Sequence, residues 1–132
     1  MSHLNSTNKS VFLWLLILLV QGCASSRVGE AVPGDVDRSK VPVRTIEMTA
    51  QKFHFTPDSV HVESGTLLRI AITGLDGTHG FSLSDFGIDE TIAEGETKMI
   101  EFFARGKGEH AFHCSHFCGL GHFGMRGKVI VE

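Results

Sequence analysis

A chain of 132 residues and 14.4 kDa has room for one domain and little else. Hydrophobic residues at 42% and charged residues at 20% form a globular mixture and exclude a disordered polymer. Lys+Arg 12 against Asp+Glu 15 gives a formal charge of −3, which argues against a broad basic surface for nucleic acid.

The chain opens with a polar stretch containing Lys9, then an unbroken apolar run of ten residues over 11–20, then Gln21-Gly22-Cys23. Such a run matches the apolar core of a signal peptide and falls well short of the ~20 residues that cross a bilayer. Val20-Gln21-Gly22-Cys23, followed by Ala24-Ser25-Ser26, resembles the lipobox of bacterial lipoproteins, in which the cysteine is acylated and becomes the new N-terminus. The resemblance implies a signal peptide over 1–22 and lipidation at Cys23. It also implies an exported protein anchored to a membrane, facing the periplasm or the outer face of the cell envelope. Two other readings remain open: an uncleaved signal anchor, or ordinary cleavage nearby that leaves Cys23 as a stray thiol. Lipidation has the merit of accounting for the odd one of three cysteines. Loss of Lys9 with the signal leaves 11 basic against 15 acidic residues and a charge of −4. Residues 23–43, with Gly29, Pro33, Gly34 and Pro42 and no apolar run, read as a flexible tether. About 20 residues at ~3.3 Å each reach at most ~65 Å.

Residues 44–132 have the texture of an all-β domain, with short β-branched and aromatic segments punctuated by Gly and Asp. Strands are expected over 44–48, 52–55, 59–63, 66–73, 80–83, 97–103, 109–114 and 127–131. Leu68, Ile70 and Ile72 fall on one face of their strand, with Arg69 and Thr73 on the other; Ile100 and Phe102 alternate with Glu101. No long helical stripe is present, so helices should be short or absent. Eight strands in about 89 residues predict two packed sheets with Greek-key connections.

Five of the eight histidines follow residue 78, and two of the three cysteines lie between the last two expected strands. Cys114, Cys118, His122 and Met125 stand at spacings of four, four and three, close enough for one loop to gather them around a point. Two thiolates, an imidazole and a thioether are a soft ligand set, suited to copper rather than magnesium or calcium. His79, after the turn Leu75-Asp76-Gly77-Thr78, is the best candidate for a second imidazole, because strand ends converge at one rim of a sandwich.

The run from Cys114 to Met125 resembles the binuclear copper A loop, C-S-x-x-C-G-x-x-H-x-x-M, of cytochrome c oxidase subunit II and nitrous oxide reductase. Asp76-Gly77-Thr78-His79-Gly80-Phe81 is similar to the family's segment bearing the first histidine. Phe53-x-Phe55-x-Pro57 and Glu63-Ser64-Gly65 resemble the early strands of these cupredoxin domains. Together the resemblance spans about 47–131 and implies a cupredoxin-like Greek-key β-sandwich or barrel over 44–132. It implies two copper ions bridged by Cys114 and Cys118 and capped by His79 and His122. Met125 and the backbone carbonyl of His116 would be weak axial ligands. It implies a single-electron carrier with no catalytic site of its own.

Other readings of these residues stay in play. A Cys114–Cys118 disulfide suits an oxidising compartment but leaves His79, His122 and Met125 unexplained. A structural zinc site gives Met125 no role. A mononuclear blue-copper site needs one cysteine, and a thioredoxin-like copper-insertion protein needs βαβ units. A free cysteine nucleophile fits poorly with metal-bound thiolates. His54, His61, His110 and His113 are expected to be ordinary surface or half-buried residues. Phe81, Phe117, Leu120 and Phe123 are either core or, on the ligand loop, an apolar patch through which a partner approaches.

Oxidase subunit II normally begins with two transmembrane helices and carries an aromatic segment with a Trp at which cytochrome c delivers electrons. This sequence shows no such pair, and its one Trp, Trp14, lies in the signal. The expectation is therefore a membrane-tethered electron carrier or accessory subunit of a terminal respiratory oxidase. Its partner would be a c-type cytochrome or the oxidase itself, with no nucleic acid. The alternative is a copper storage or delivery protein for oxidase assembly.

Overall fold

The computed structural model describes residues 31–132; the expected signal peptide, Cys23 and the first part of the expected tether lie outside the described residues. Nine strands form: β1 (Val43–Gln51), β2 (His54–Thr56), β3 (Ser59–Val62), β4 (Leu67–Gly74), β5 (His79–Leu83), β6 (Ile88–Ile92), β7 (Thr97–Phe103), β8 (Gly108–His113) and β9 (Arg126–Val131). They make a four-stranded sheet, β2-β1-β4-β7, and a five-stranded sheet, β3-β9-β8-β5-β6. β1 runs parallel to β4 and β3 parallel to β9, while the other pairs are antiparallel. The chain passes repeatedly between the sheets, as the expected all-β Greek-key sandwich requires. The only helical turns among the described residues are 3-10 turns at Ser84–Phe86 and His122–Gly124. No helix among them is long and apolar enough to cross a membrane.

The alternation read in β4 and β7 decides which side faces inward. Leu68, Ile70, Ile72, Ile100 and Phe102 are buried. Arg69 lies outward opposite Glu101, its Nε donating to the carboxylate at 2.7 Å. On the inner faces Phe55, Phe81 and Phe112 meet at ring-centroid distances of 5.8, 5.3 and 5.0 Å, mostly edge to face. β6 is the strand that sequence periodicity misses. Ile-Asp-Glu-Thr-Ile buries only its two ends, because it is an edge strand paired with β5 alone.

Residues 31–42, read from composition as tether, are laid against the sandwich. The Phe103 N–H donates to the Ala31 carbonyl at 2.8 Å, and the Leu67 N–H to the Pro42 carbonyl at 2.8 Å. Arg38 reaches Glu101 at 3.1 Å, and Ala31 packs on the core. Backbone hydrogen bonds hold this strap, so an apolar run was not needed to fix it.

The strand directions define two poles. The ends of β1, β4 and β8 and the starts of β5 and β9 meet at one, which collects the connections around 52, 75–78 and 114–125. The strap, the start of β4, the end of β7 and Glu132 gather at the other.

Ile70 sits wholly buried in β4, paired with Ile46 on one side and Ile100 on the other. Ile70→Ala should lower stability by about 2–5 kcal/mol, seen as a fall in urea midpoint with an unchanged denaturant slope.

Candidate metal centre

His79 opens β5 and is fully buried. Its Nε2 lies 3.1 Å from Asp76 Oδ1. Asp76 is itself fixed by the Lys52 backbone N–H, at 2.9 Å to Oδ1 and 3.2 Å to Oδ2. An ionised carboxylate only accepts, so Nε2 carries the proton in the neutral ring and Nδ1 keeps a free lone pair. Burial works to raise the Asp76 carboxyl, but the hydrogen bonds from Lys52 and His79 and the charges of both outweigh it and hold it below the ordinary range. His79 Nδ1 is buried with no hydrogen-bond partner, the only such side-chain nitrogen or oxygen among the described residues. An orphaned buried nitrogen is costly unless something occupies its lone pair.

The lone pair has soft neighbours. Ligand atoms of His79, Cys114 and Cys118 lie within 4.8 Å of one another. Cys114 is buried just beyond β8, and its Sγ accepts from the Gly80 N–H at 3.4 Å. The same sulfur lies 3.1 Å from the His116 carbonyl oxygen and 3.7 Å from Cys118 Sγ. Cys118 Sγ in turn stands 3.8 Å from His122 Nδ1 and 3.8 Å from Met125 Sδ. A disulfide needs ~2.05 Å between sulfurs, so these are two free thiols. Burial first, then the hydrogen bond and charge of Cys114, push the Cys118 thiol up to about 11.

The fold imposes this geometry through backbone contacts. The Cys114 N–H donates to the Met125 carbonyl at 2.9 Å, which pinches the ligand loop at its base. The 3-10 turn at His122–Gly124 is closed by the Met125 N–H on the His122 carbonyl at 3.1 Å. Ser115 Oγ donates to Asp89 Oδ1 of β6 at 2.5 Å. Gly80 lies so close that a Cβ there would stand 2.4 Å from the His116 nitrogen.

The structure thus brings together His79, Cys114, Cys118, His122, Met125 and, through its carbonyl, His116. The His116 side chain is exposed, as are His54, His61 and His113. His110 lies away from the cluster, bonded to Asp85 at 2.7 Å and to the Gly106 carbonyl at 2.6 Å. Phe81 is core, whereas Phe117, Leu120 and Phe123 are 63%, 97% and 76% exposed. Two of these flank His122, with ring centroids 5.5 Å (Phe117) and 5.2 Å (Phe123) from its imidazole. A cavity of about 290 Å³ is lined by Cys114 and His122 together with Phe112, Phe123 and Arg126. Sequence reasoning did not single out Lys52, Gly80 or Asp89, which act on the ligands through backbone or through a neighbour. Asp76 and Gly80 do fall inside the motif around His79, which was the available signal.

The donor set fits a soft metal ion: two thiols, a lone pair already waiting on one imidazole, a second imidazole, a thioether and a carbonyl oxygen. The Asp76–His79 pair is the carboxylate–histidine arrangement that orients metal-bound imidazoles. In the metal-free protein alkylation requires the thiolate, so labelling of Cys118 should still be rising with pH at about pH 10. Mass spectrometry of labelled protein would check this, and a labelling midpoint at the ordinary thiol value of 9.0 would contradict the burial described.

Over residues 11–131 the chain matches the cupredoxin-like domain family. It is 30% identical over 88 residues to cytochrome c oxidase subunit 2 of Thermus thermophilus, covering 67% of this chain and 65% of that protein. It is 29% identical over 92 residues to the nitrous-oxide reductase of Ralstonia nicotianae, covering 67% of this chain and 14% of that protein. The chain therefore spans under two thirds of the length of either relative. Its fold superposes on the periplasmic domain of cytochrome oxidase subunit II from Bradyrhizobium japonicum with a TM-score of 0.62 at 22% identity, over 67% of this chain and 83% of that one. This chain belongs to the cupredoxin-like domain family.

Proposed function

We propose that the protein is a membrane-tethered electron carrier with a binuclear copper A centre, acting in the periplasm as a carrier or accessory subunit of a terminal respiratory oxidase. The carrying observation is the convergence of two free thiols on a buried histidine whose Nδ1 has no partner. A zinc site would leave the buried Met125 thioether, 3.8 Å from Cys118 Sγ, without a purpose. One cysteine would suffice for a blue-copper site.

Bound copper supplies reversible one-electron chemistry. The chain's own residues limit how far the ligands move during it. Cys114 and Cys118 would hold the copper as thiolates, giving up their protons on binding. His79 is held through Asp76, and the pinched loop holds His122 and Met125. Small geometric change keeps the barrier to transfer low. In this reading the set passes electrons and the chain has no catalytic site of its own. Phe117, Leu120 and Phe123 offer an exposed apolar collar beside His122 for a redox partner such as a c-type cytochrome or the oxidase. The second reading, copper storage or delivery, draws on the cavity that opens onto Cys114 and His122. Rapid loss of copper to a chelator, without reversible oxidation, would favour it.

Purified protein loaded with copper should hold two ions per chain, be purple when oxidised, and show one unpaired electron shared by two coppers in electron paramagnetic resonance. Cys114→Ser or Cys118→Ser should abolish that signal, whereas Met125→Leu should keep it and raise the reduction potential. One copper per chain would sink the binuclear reading.

The anchor is tested separately. If Cys23 is acylated, membrane-bound protein should begin at residue 23, carry lipid mass there and resist salt extraction, since two or more chains anchor stably. Cys23→Ser should release it, and unchanged membrane association with residues 1–22 still present would mean an uncleaved anchor.

A further inference from the structure

The two ligand-bearing segments are not bonded to each other alone; both lean on one turn between β1 and β2. The Lys52 N–H donates to both carboxylate oxygens of Asp76, and Asp76 holds His79. The next residue, Phe53, lies with its ring close against the other segment. A Cβ on Gly121 would stand 2.3 Å from Phe53 Cγ and Cδ2, and one on Gly119 would stand 3.0 Å from Cε1. Gly119 and Gly121 sit between Cys118 and His122, so the ring covers the backbone that spaces these two ligands. Phe53 is 38% exposed and is not among the buried core residues.

We infer that the turn at Lys52 and Phe53 is a common brace for the metal centre, and that Phe53 is a positioning residue for the Cys118–His122 half of the loop. This rests on the reading of the 114–125 loop and His79 as a metal centre. A phenyl ring on glycine backbone has no polar task; what it supplies is a fixed surface that the loop cannot pass through. Adjacency in sequence then links the two halves: whatever holds Lys52 to Asp76 also holds the ring on the loop. At Gly121 the ring occupies the place of a side chain, whereas Gly119, at φ +131°, also needs glycine for its backbone. Gly121 has φ −86°, which alanine adopts without strain, and the three atoms nearest a methyl group there are all from Phe53: Cγ and Cδ2 of the ring at 2.3 Å and Cβ at 2.9 Å.

The test is a double-substitution cycle on the full chain, read first without metal. Hydrogen exchange is followed at the amides of His122, Gly124 and Met125, which bond within the loop to Gly119, Gly121 and His122 at 3.0, 3.0 and 3.1 Å. Phe53→Ala should speed exchange at these amides by about tenfold, with β4 and β7 unchanged. Gly121→Ala should do the same alone, because the ring and the new methyl cannot coexist, but should add much less in the Phe53→Ala background, where the two 2.3 Å contacts are gone and only the one to Cβ at 2.9 Å remains. Phe53→Tyr, which keeps the ring, should behave as the parent. If Phe53→Ala folds poorly, Phe53→Leu, which loses Cε1 and Cζ against Gly119 but keeps Cγ, should speed loop exchange by a smaller factor. In copper-loaded protein, release to a chelator should follow the same order of variants. Unchanged loop exchange in Phe53→Ala, or a Gly121→Ala effect that persists undiminished without the ring, would overturn the brace. A parent protein that takes up no copper would overturn the metal reading instead, leaving the exchange cycle to decide the brace.

Discussion

The ligand loop returns past β5 at a separation that leaves no room for a Cβ on Gly80, and the geometry of the site follows from that approach. With the two backbones this close, the Gly80 N–H can reach Cys114 Sγ, and the neighbouring His79 falls beside both sulfurs. A larger residue would push the Ser115–His116 backbone outward and carry Cys114 and the His116 carbonyl with it. The loop's own closure, Cys114 to Met125, then brings the far ligands back to the same place. Close packing makes this arrangement stiff, because strands fixed by ladders and a filled core do not deform gradually.

Beneath the site lies the aromatic cluster of Phe55, Phe81 and Phe112. Phe81 follows Gly80 by one residue, and Phe112 precedes Cys114 by two. The ligands are therefore carried on strands whose inward side chains are locked by ring packing. Burial disfavours the Cys118 thiolate until a cation arrives, and the hydrogen bond and charge of Cys114 add to it.

Much of this was legible in the sequence, and the illegible parts share a cause. β4 and β7 were readable because period-two burial is written in Leu68, Ile70, Ile72, Ile100 and Phe102. The loop was readable because two thiols, an imidazole and a thioether at short spacings converge on soft-metal chemistry, and the family resemblance supplied their roles. β6 was not, since an edge strand buries too few side chains to show a pattern. Yet Asp89 on that strand holds Ser115 of the loop. The strap over 31–42 was not readable either, because main-chain bonds such as Ala31 to Phe103 leave no mark on composition. Phe53 belonged to a recognised segment, but its ring meets the loop from another part of the chain, a contact that pattern alone does not encode. Periodicity reports what a residue does for its own strand; braces act across strands.

The strap also sets a direction. It joins the sandwich at the pole opposite the ligand loop, and β1 alone, nine residues long, separates the two by about 30 Å. With the proposed anchor at Cys23, the seven residues 24–30 can span at most ~25 Å. Held upright, the domain would present His122 and its apolar collar to the aqueous side, like a lamp at the head of a short mast. With the domain tilted, the same collar would face the bilayer plane. In the proposed function, the upright posture would suit a diffusing cytochrome and the tilted one a membrane-bound oxidase, and the distance from strap to anchor would set which of the two the collar can reach.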